Sequence, residues 1–124
     1  MNNDTISVVL VDDDEDLRGV VRNIISGMPD IDLIGDVGLG VEGIEEVIRD
    51  EPDVLVLDYM MPGMSGDIVA AAVRENSPAT KILVFTAVLE EAPDWADSFL
   101  TKLDIAKLVP TIRDLAPGGT RAGA

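Results

Sequence analysis

The sequence has no cysteine among its 124 residues, which removes a disulfide framework and any thiolate metal site and fits a reducing compartment. It has no apolar run approaching the roughly 20 residues that span a bilayer. Its opening residues, Met1-Asn2-Asn3-Asp4-Thr5, lack the basic start of a secretory signal. These absences point to a cytoplasmic protein with no membrane role. Positive charge is scarce as well: 9 Lys and Arg stand against 24 Asp and Glu, for a net charge of −15. Such a chain repels a phosphate backbone, so no direct nucleic-acid binding is expected of it. No internal repeat or low-complexity core is visible. The length suits one domain, residues 1–115, with 116–124 (Ala-Pro-Gly-Gly-Thr-Arg-Ala-Gly-Ala) reading as a flexible tail or the start of a linker.

What is present is organised around Val54-Leu55-Val56-Leu57-Asp58. An unbroken apolar run, without alternation, reads as a strand buried on both faces. It stops at a carboxylate, and the turn residues Pro62-Gly63 and Ser65-Gly66 follow. Asp58 therefore sits at the carboxyl end of a buried strand, where open α/β sheets place their ligands. A helix or turn cap is the bland alternative for an isolated strand-ending Asp. The other strand tips decide between them.

Ile6–Val11 is a second such strand, ending in Asp12-Asp13-Asp14. Leu17, Val20, Val21, Ile24 and Ile25 then recur at helical spacing, with Asp14 placed to cap and Gly27 and Pro29 to stop the helix. Ile31 to Val37 is a weaker strand, and Val41, Ile44, Val47 and Ile48 form the next helical stripe. Ile68, Val69, Ala72 and Val73 mark a third helix before the strand Lys81–Thr86. Ser98–Thr101 is a short fifth strand, followed at once by Lys102. Ile105, Leu108, Val109, Ile112 and Leu115 give a last helical stripe with Pro110 inside it. This alternation predicts an α/β fold, a doubly wound five-stranded parallel sheet. Asp12, Asp13, Asp58, Thr86 and Lys102 then share one edge. Carboxylates at close range disfavour one another's ionisation, and a hard divalent cation such as Mg²⁺ relieves this. Lys102 adds a positive point charge for an anion and Thr86 a hydroxyl donor, so the set reads as a phosphate site containing a carboxylate nucleophile.

An Asp pair after the first strand, Asp58-x-x-Met-Pro-Gly-Met-Ser-Gly after the third, Thr86-Ala87 after the fourth and Lys102 after the fifth resemble the receiver domain of two-component response regulators. The likeness runs from about Ile6 to Leu115. It implies a flavodoxin-like strand order 2-1-3-4-5. It implies that Asp58 accepts a phosphoryl group from the phosphohistidine of a histidine kinase or phosphotransfer protein. By the same resemblance Asp12 and Asp13, with Asp58 and the backbone carbonyl of Met60, hold Mg²⁺. Lys102 pairs with the acceptor or its phosphate, Thr86 bonds the phosphoryl oxygen on switching, and Phe99 is the aromatic switch residue. Ala87, being small, leaves the donor room. Catalysis would extend no further than the domain's own phosphorylation and dephosphorylation. A downstream protein or linked effector domain would read the state, and a homodimer is compatible with it.

Two departures stand out. Leu103 occupies the place where the family usually has a proline preceded by a cis peptide; a non-proline cis bond costs roughly 3–4 kcal/mol, so a trans bond and a reshaped loop are expected. Ala87 to Asp97 leaves eleven residues for both connections and any helix, which predicts a shortened or missing fourth helix. At most one turn starting near Pro93 is expected, with Trp95 against the sheet edge. Two other readings compete. Asp12-x-Asp14 with later Thr and Lys resembles the nucleophile motif of a small aspartyl-phosphate phosphatase of the haloacid-dehalogenase type, which turnover of a simple phosphate ester would reveal. A pseudo-receiver that binds without being phosphorylated is the third, and the altered Lys102 loop is the feature that favours it.

Overall fold

The computed structural model describes residues 5–88 and 91–116. Its strands are β1 (Ile6–Val11), β2 (Ile31–Val37), β3 (Val54–Leu57), β4 (Lys81–Thr86) and β5 (Ser98–Thr101). Its α-helices are α1 (Glu15–Ser26), α2 (Gly40–Asp50), α3 (Gly66–Asn76) and α4 (Leu108–Leu115), with a 3-10 segment, Lys102–Lys107, leading into the last. The strands are all parallel in the order β2-β1-β3-β4-β5, as the alternation and the resemblance require.

Strand side chains alternate between faces, so each apolar run feeds two cores. Ile6, Val8, Leu10, Val54, Val56, Leu83 and Phe85 pack with Val21 and Ile25 of α1 and with Leu108 and Ile112 of α4. Val9, Val11, Leu55, Leu57, Ile82 and Val84 pack with Val47 of α2 and with Val69 and Val73 of α3. Burying both faces makes β1, β3 and β4 the rigid floor from whose carboxyl ends the site projects. The apolar stripes are wider than the contact: Val20, Val41, Ile48 and Ile68 remain exposed.

Asp14 caps α1 as expected, its Oδ1 accepting the Leu17 N–H at 3.1 Å. No α-helix joins β4 to β5 among the described residues; the predicted single turn is there, with the Ala96 N–H donating to Pro93 O at 3.0 Å. Leu89 and Glu90 of that interval lie outside the described residues. Every peptide bond among the described residues is trans, including Lys102–Leu103, and the Leu103 side chain is 95% exposed.

The C-terminal stripe behaves differently from a single helix. Its first part winds as the 3-10 segment, and the α-helix begins only at Leu108. Pro110 supplies the reason: lacking an N–H, it is tolerated in a first turn and not in an interior. Ala116, the first residue of the expected tail, is buried in the core beside α1 and α4, and its N–H bonds Ile112 O at 3.2 Å. Residues 117–124 of the expected tail lie outside the described residues. Among the described residues no helix is long and apolar enough to cross a membrane.

Candidate functional site

β1 and β3 are neighbours in register, Val11 beside Leu57. The next residue of each strand is therefore a carboxylate beside a carboxylate. Backbone bonds extend the ladder to hold both: Asp12 N–H donates to Val37 O and Asp58 N–H to Val11 O, each at 3.0 Å. Asp12 is fully buried, Asp58 nearly so, and Asp13 is exposed at the mouth. Ligand oxygens of Asp12, Asp13 and Asp58 lie within 4.8 Å of one another.

Lys102 reaches this cluster from the end of β5, two strands away from β3. Its Nζ lies 2.9 Å from Asp12 Oδ2 and donates to Asp58 Oδ2 at 3.3 Å. Asp12 Oδ1 accepts the Asp14 N–H at 2.9 Å, while Oδ2 has the ammonium as an ion-pair neighbour without a well-angled hydrogen bond. Burial pushes the Asp12 carboxyl above its ordinary value, with the Asp58 charge adding to it; Lys102 and the Asp14 N–H only partly oppose this. Burial works against the Lys102 ammonium too, but Asp12 and Asp58 more than compensate and hold its pKa above the ordinary one. Three carboxylates thus face one ammonium. An all-oxygen donor set with uncompensated negative charge fits a hard divalent cation of the Mg²⁺ class.

Thr86 is fully buried at the end of β4, and among the described residues its Oγ1 has no hydrogen-bond partner. A buried hydroxyl left unbonded carries a free-energy cost and calls for an explanation. Ala87 beyond it is exposed. Phe99 pairs with Val84 and Thr101 with Thr86, so Phe99 and Thr86 lie on the same sheet face one pair apart. Phe99 is half-buried against the core that α2 and α3 cover. Met60 is exposed in the loop after Asp58.

Some participants had no expected role. Arg18 of α1 donates Nη1 to Asp12 O at 2.7 Å and Nε to Asp36 Oδ1 at 3.3 Å, bracing the acidic loop from behind. Gly38 makes room for it, since a Cβ there would lie 2.9 Å from Arg18 Nη1. The only signal in the sequence was a cation one helical turn beyond the Asp14 cap.

Strands in this order, with carboxylates on the tips of β1 and β3 and a lysine on that of β5, define the receiver class of signalling domains. The chain belongs to the response regulator receiver domain family, whose model matches residues 8–108. The nitrate/nitrite response regulator protein NarL of Escherichia coli (strain K12) is 32% identical, over 94% of this chain and 57% of that protein. A protein-glutamate methylesterase/protein-glutamine glutaminase of Thermotoga maritima is 29% identical over 94% of this chain and 36% of its own length. The chain therefore spans only part of these curated relatives. Among solved structures, the response regulator domain of Thermotoga maritima CheB superposes with a TM-score of 0.79 at 25% identity, covering 88% of this chain and 94% of that one. The signal receiver domain of NarL from Mycobacterium tuberculosis gives 0.73 at 32% identity, covering 87% and 95%.

Proposed function

We propose that this domain is a phosphorylation switch whose acceptor is Asp58. A carboxylate oxygen of Asp58 attacks the phosphorus of a phosphohistidine on a histidine kinase or phosphotransfer protein. The O–P bond forms as the P–N bond breaks, and the donor imidazole keeps the bonding electron pair. Lys102, already 3.3 Å from Asp58 Oδ2, neutralises charge on the acceptor and then on its phosphate. The Thr86 hydroxyl, unpartnered among the described residues, becomes the donor to a phosphoryl oxygen, and Phe99 on the same sheet face follows it. Asp12, Asp13 and Asp58, with the Met60 carbonyl, are the residues that would hold Mg²⁺. When bound, the ion supplies charge neutralisation at the phosphoryl oxygens. The domain catalyses no more than its own phosphorylation and dephosphorylation, acts in the cytoplasm, and passes its state to a downstream protein or a linked effector domain.

The observation that carries this reading is the bridge from Lys102 to both Asp12 and Asp58, beside an orphan hydroxyl on the same edge. The test is incubation with a small acyl phosphate and Mg²⁺, read by intact mass, with Asp58→Asn and EDTA as controls. A single phosphoryl adduct that both controls abolish is expected. Equal labelling of wild type and Asp58→Asn would sink the assignment. No adduct under any condition would favour the pseudo-receiver, for which the exposed Leu103 beside Lys102 is the supporting feature. Steady turnover of a simple phosphate ester would favour the phosphatase.

A further inference from the structure

Residues 91–97 replace a helix, and they are fastened down. The Trp95 and Tyr59 rings are stacked, their centroids 6.4 Å apart and their planes 13° from parallel. One carboxylate of α3 ties the pair together: Tyr59 Oη donates to Asp67 Oδ2 and Trp95 Nε1 to Asp67 Oδ1, both at 2.8 Å. Both oxygens of Asp67 are thereby engaged. Two turns further along α3, Arg74 Nη2 donates to Trp95 O at 2.6 Å and to Asp97 Oδ2 at 2.8 Å. Asp97 Oδ2 also accepts the Ile82 N–H of β4 at 2.8 Å.

Tyr59 is the residue covalently next to Asp58. Its carbonyl accepts the Gly66 N–H at 2.6 Å, and a Cβ on Gly66 would lie 2.9 Å from Tyr59 Cα. The backbone beside the acceptor thus abuts the start of α3, while the side chain runs to Asp67 and Trp95. We infer that Asp67 is a positioning residue that couples the acceptor loop to segment 91–97, making that segment an output element of the switch. A shift of the Asp58–Tyr59 backbone changes where Tyr59 Oη meets Asp67, and with it the seat of the Trp95 ring. Arg74 holds both the Trp95 carbonyl and Asp97, so the Trp95 ring shifts while the backbone behind it stays tied to α3 and β4. This route is separate from the one through Thr86 and Phe99, and it rests on Asp58 being the phosphoacceptor.

The experiment uses ¹⁵N-labelled protein with Mg²⁺ and acetyl phosphate, with intact mass followed in parallel. In wild type the Trp95 indole and amide resonances should move in proportion to the phosphorylated fraction. In Asp67→Ala they should stay still while Thr86 and Phe99 continue to respond. Asp67→Asn has one acceptor oxygen, keeps one of the two bonds, and should respond in between. If Asp67→Ala does not fold, Trp95→Phe keeps the ring and loses the indole donor, and the amide at position 95 should then respond less. A wild-type adduct with unmoved Trp95 resonances overturns the coupling alone. So does a wild-type response in folded Asp67→Ala, or in Trp95→Phe where that variant is used. Failure to form any adduct at Asp58 overturns the phosphoacceptor reading, and the coupling with it.

Discussion

Lys102 Nζ lies 2.9 Å from Asp12 Oδ2, joining the end of β5 to the end of β1 across the intervening β3 and β4. This ammonium is the cation that touches both buried carboxylates, and its loss leaves them facing each other. Deleting one partner of a buried pair costs about 3–5 kcal/mol, and the 21% exposure of Lys102 argues for the lower end. Lys102→Met should therefore lower the stability of the metal-free protein markedly at pH 7 in urea melts. The sign with pH is defined. Asp12 already titrates above its ordinary value, so its protonation as pH falls removes the repulsion and the deficit narrows. From the other side, the raised Lys102 pKa gives stability that is full below the unfolded value of 10.5 and lost as pH rises through the folded one.

Asp13 is exposed, so folding should be nearly indifferent to it while metal binding is not. Asp13→Ala is expected to melt, without metal, at or above the wild-type temperature, because one like charge has left a crowded site. The rise in melting temperature that Mg²⁺ gives by mass action should shrink or vanish. Wild-type Mg²⁺ stabilisation in this variant would reduce Asp13 to a loop charge.

Asp36 carries an acid-sensitive contribution. The Arg22 guanidinium, and after it Arg18, hold its carboxyl below the ordinary 3.8, against the opposing effect of burial. Its stabilisation is present above that unfolded value and lost as pH falls through the lower folded value. Arg22 is half exposed, so the pair is worth at most about 1 kcal/mol. Asp36→Asn should flatten the acid limb of a stability–pH profile by that amount and leave neutral pH as its region of greatest loss.

Two glycines should respond oppositely to alanine. At Gly66 the new methyl would meet Tyr59 Cα at 2.9 Å and Asp58 O at 3.3 Å, backbone atoms that cannot rotate aside. Gly66→Ala should destabilise by about 1–3 kcal/mol and slow labelling of Asp58. Gly19 lies inside α1, and its nearest such neighbour is the end of Arg22, 3.9 Å away. Gly19→Ala should stabilise by roughly 0.5–1 kcal/mol. Chemical denaturation of the two variants side by side checks both signs.

The buried strands were legible because Val8–Val11, Val54–Leu57 and Ile82–Phe85 leave no room for alternation, and their abrupt polar ends put Asp12, Asp58 and Thr86 on one edge. That no α-helix joins β4 to β5 among the described residues was legible too, from the eleven residues between Thr86 and Ser98. Helical stripes were less informative. Val20, Val41, Ile48 and Ile68 keep the period and still face solvent, since period fixes a direction and not what lies along it. The 3-10 start of the last helix was hidden behind Ile105 and Leu108, whose spacing suits either winding. Long-range polar contacts were the least visible: nothing near Tyr59 in sequence announces Trp95, and nothing near Arg18 announces Asp36.

The two margins of the sheet bear on how copies of this domain can meet. A strand at a sheet edge presents unpaired N–H and C=O groups to any other extended chain. β2 is the longer margin, and its register against β1 slips where the partners pass from Leu33 to Gly35, a bulge that breaks the template. β5 is four residues long and turns at once into the 3-10 segment, leaving a foreign strand little to pair with. Brevity at one margin and irregularity at the other do the protective work that a covering helix does elsewhere. With a net charge of −15 adding mutual repulsion, growth of the sheet from molecule to molecule through either margin is disfavoured.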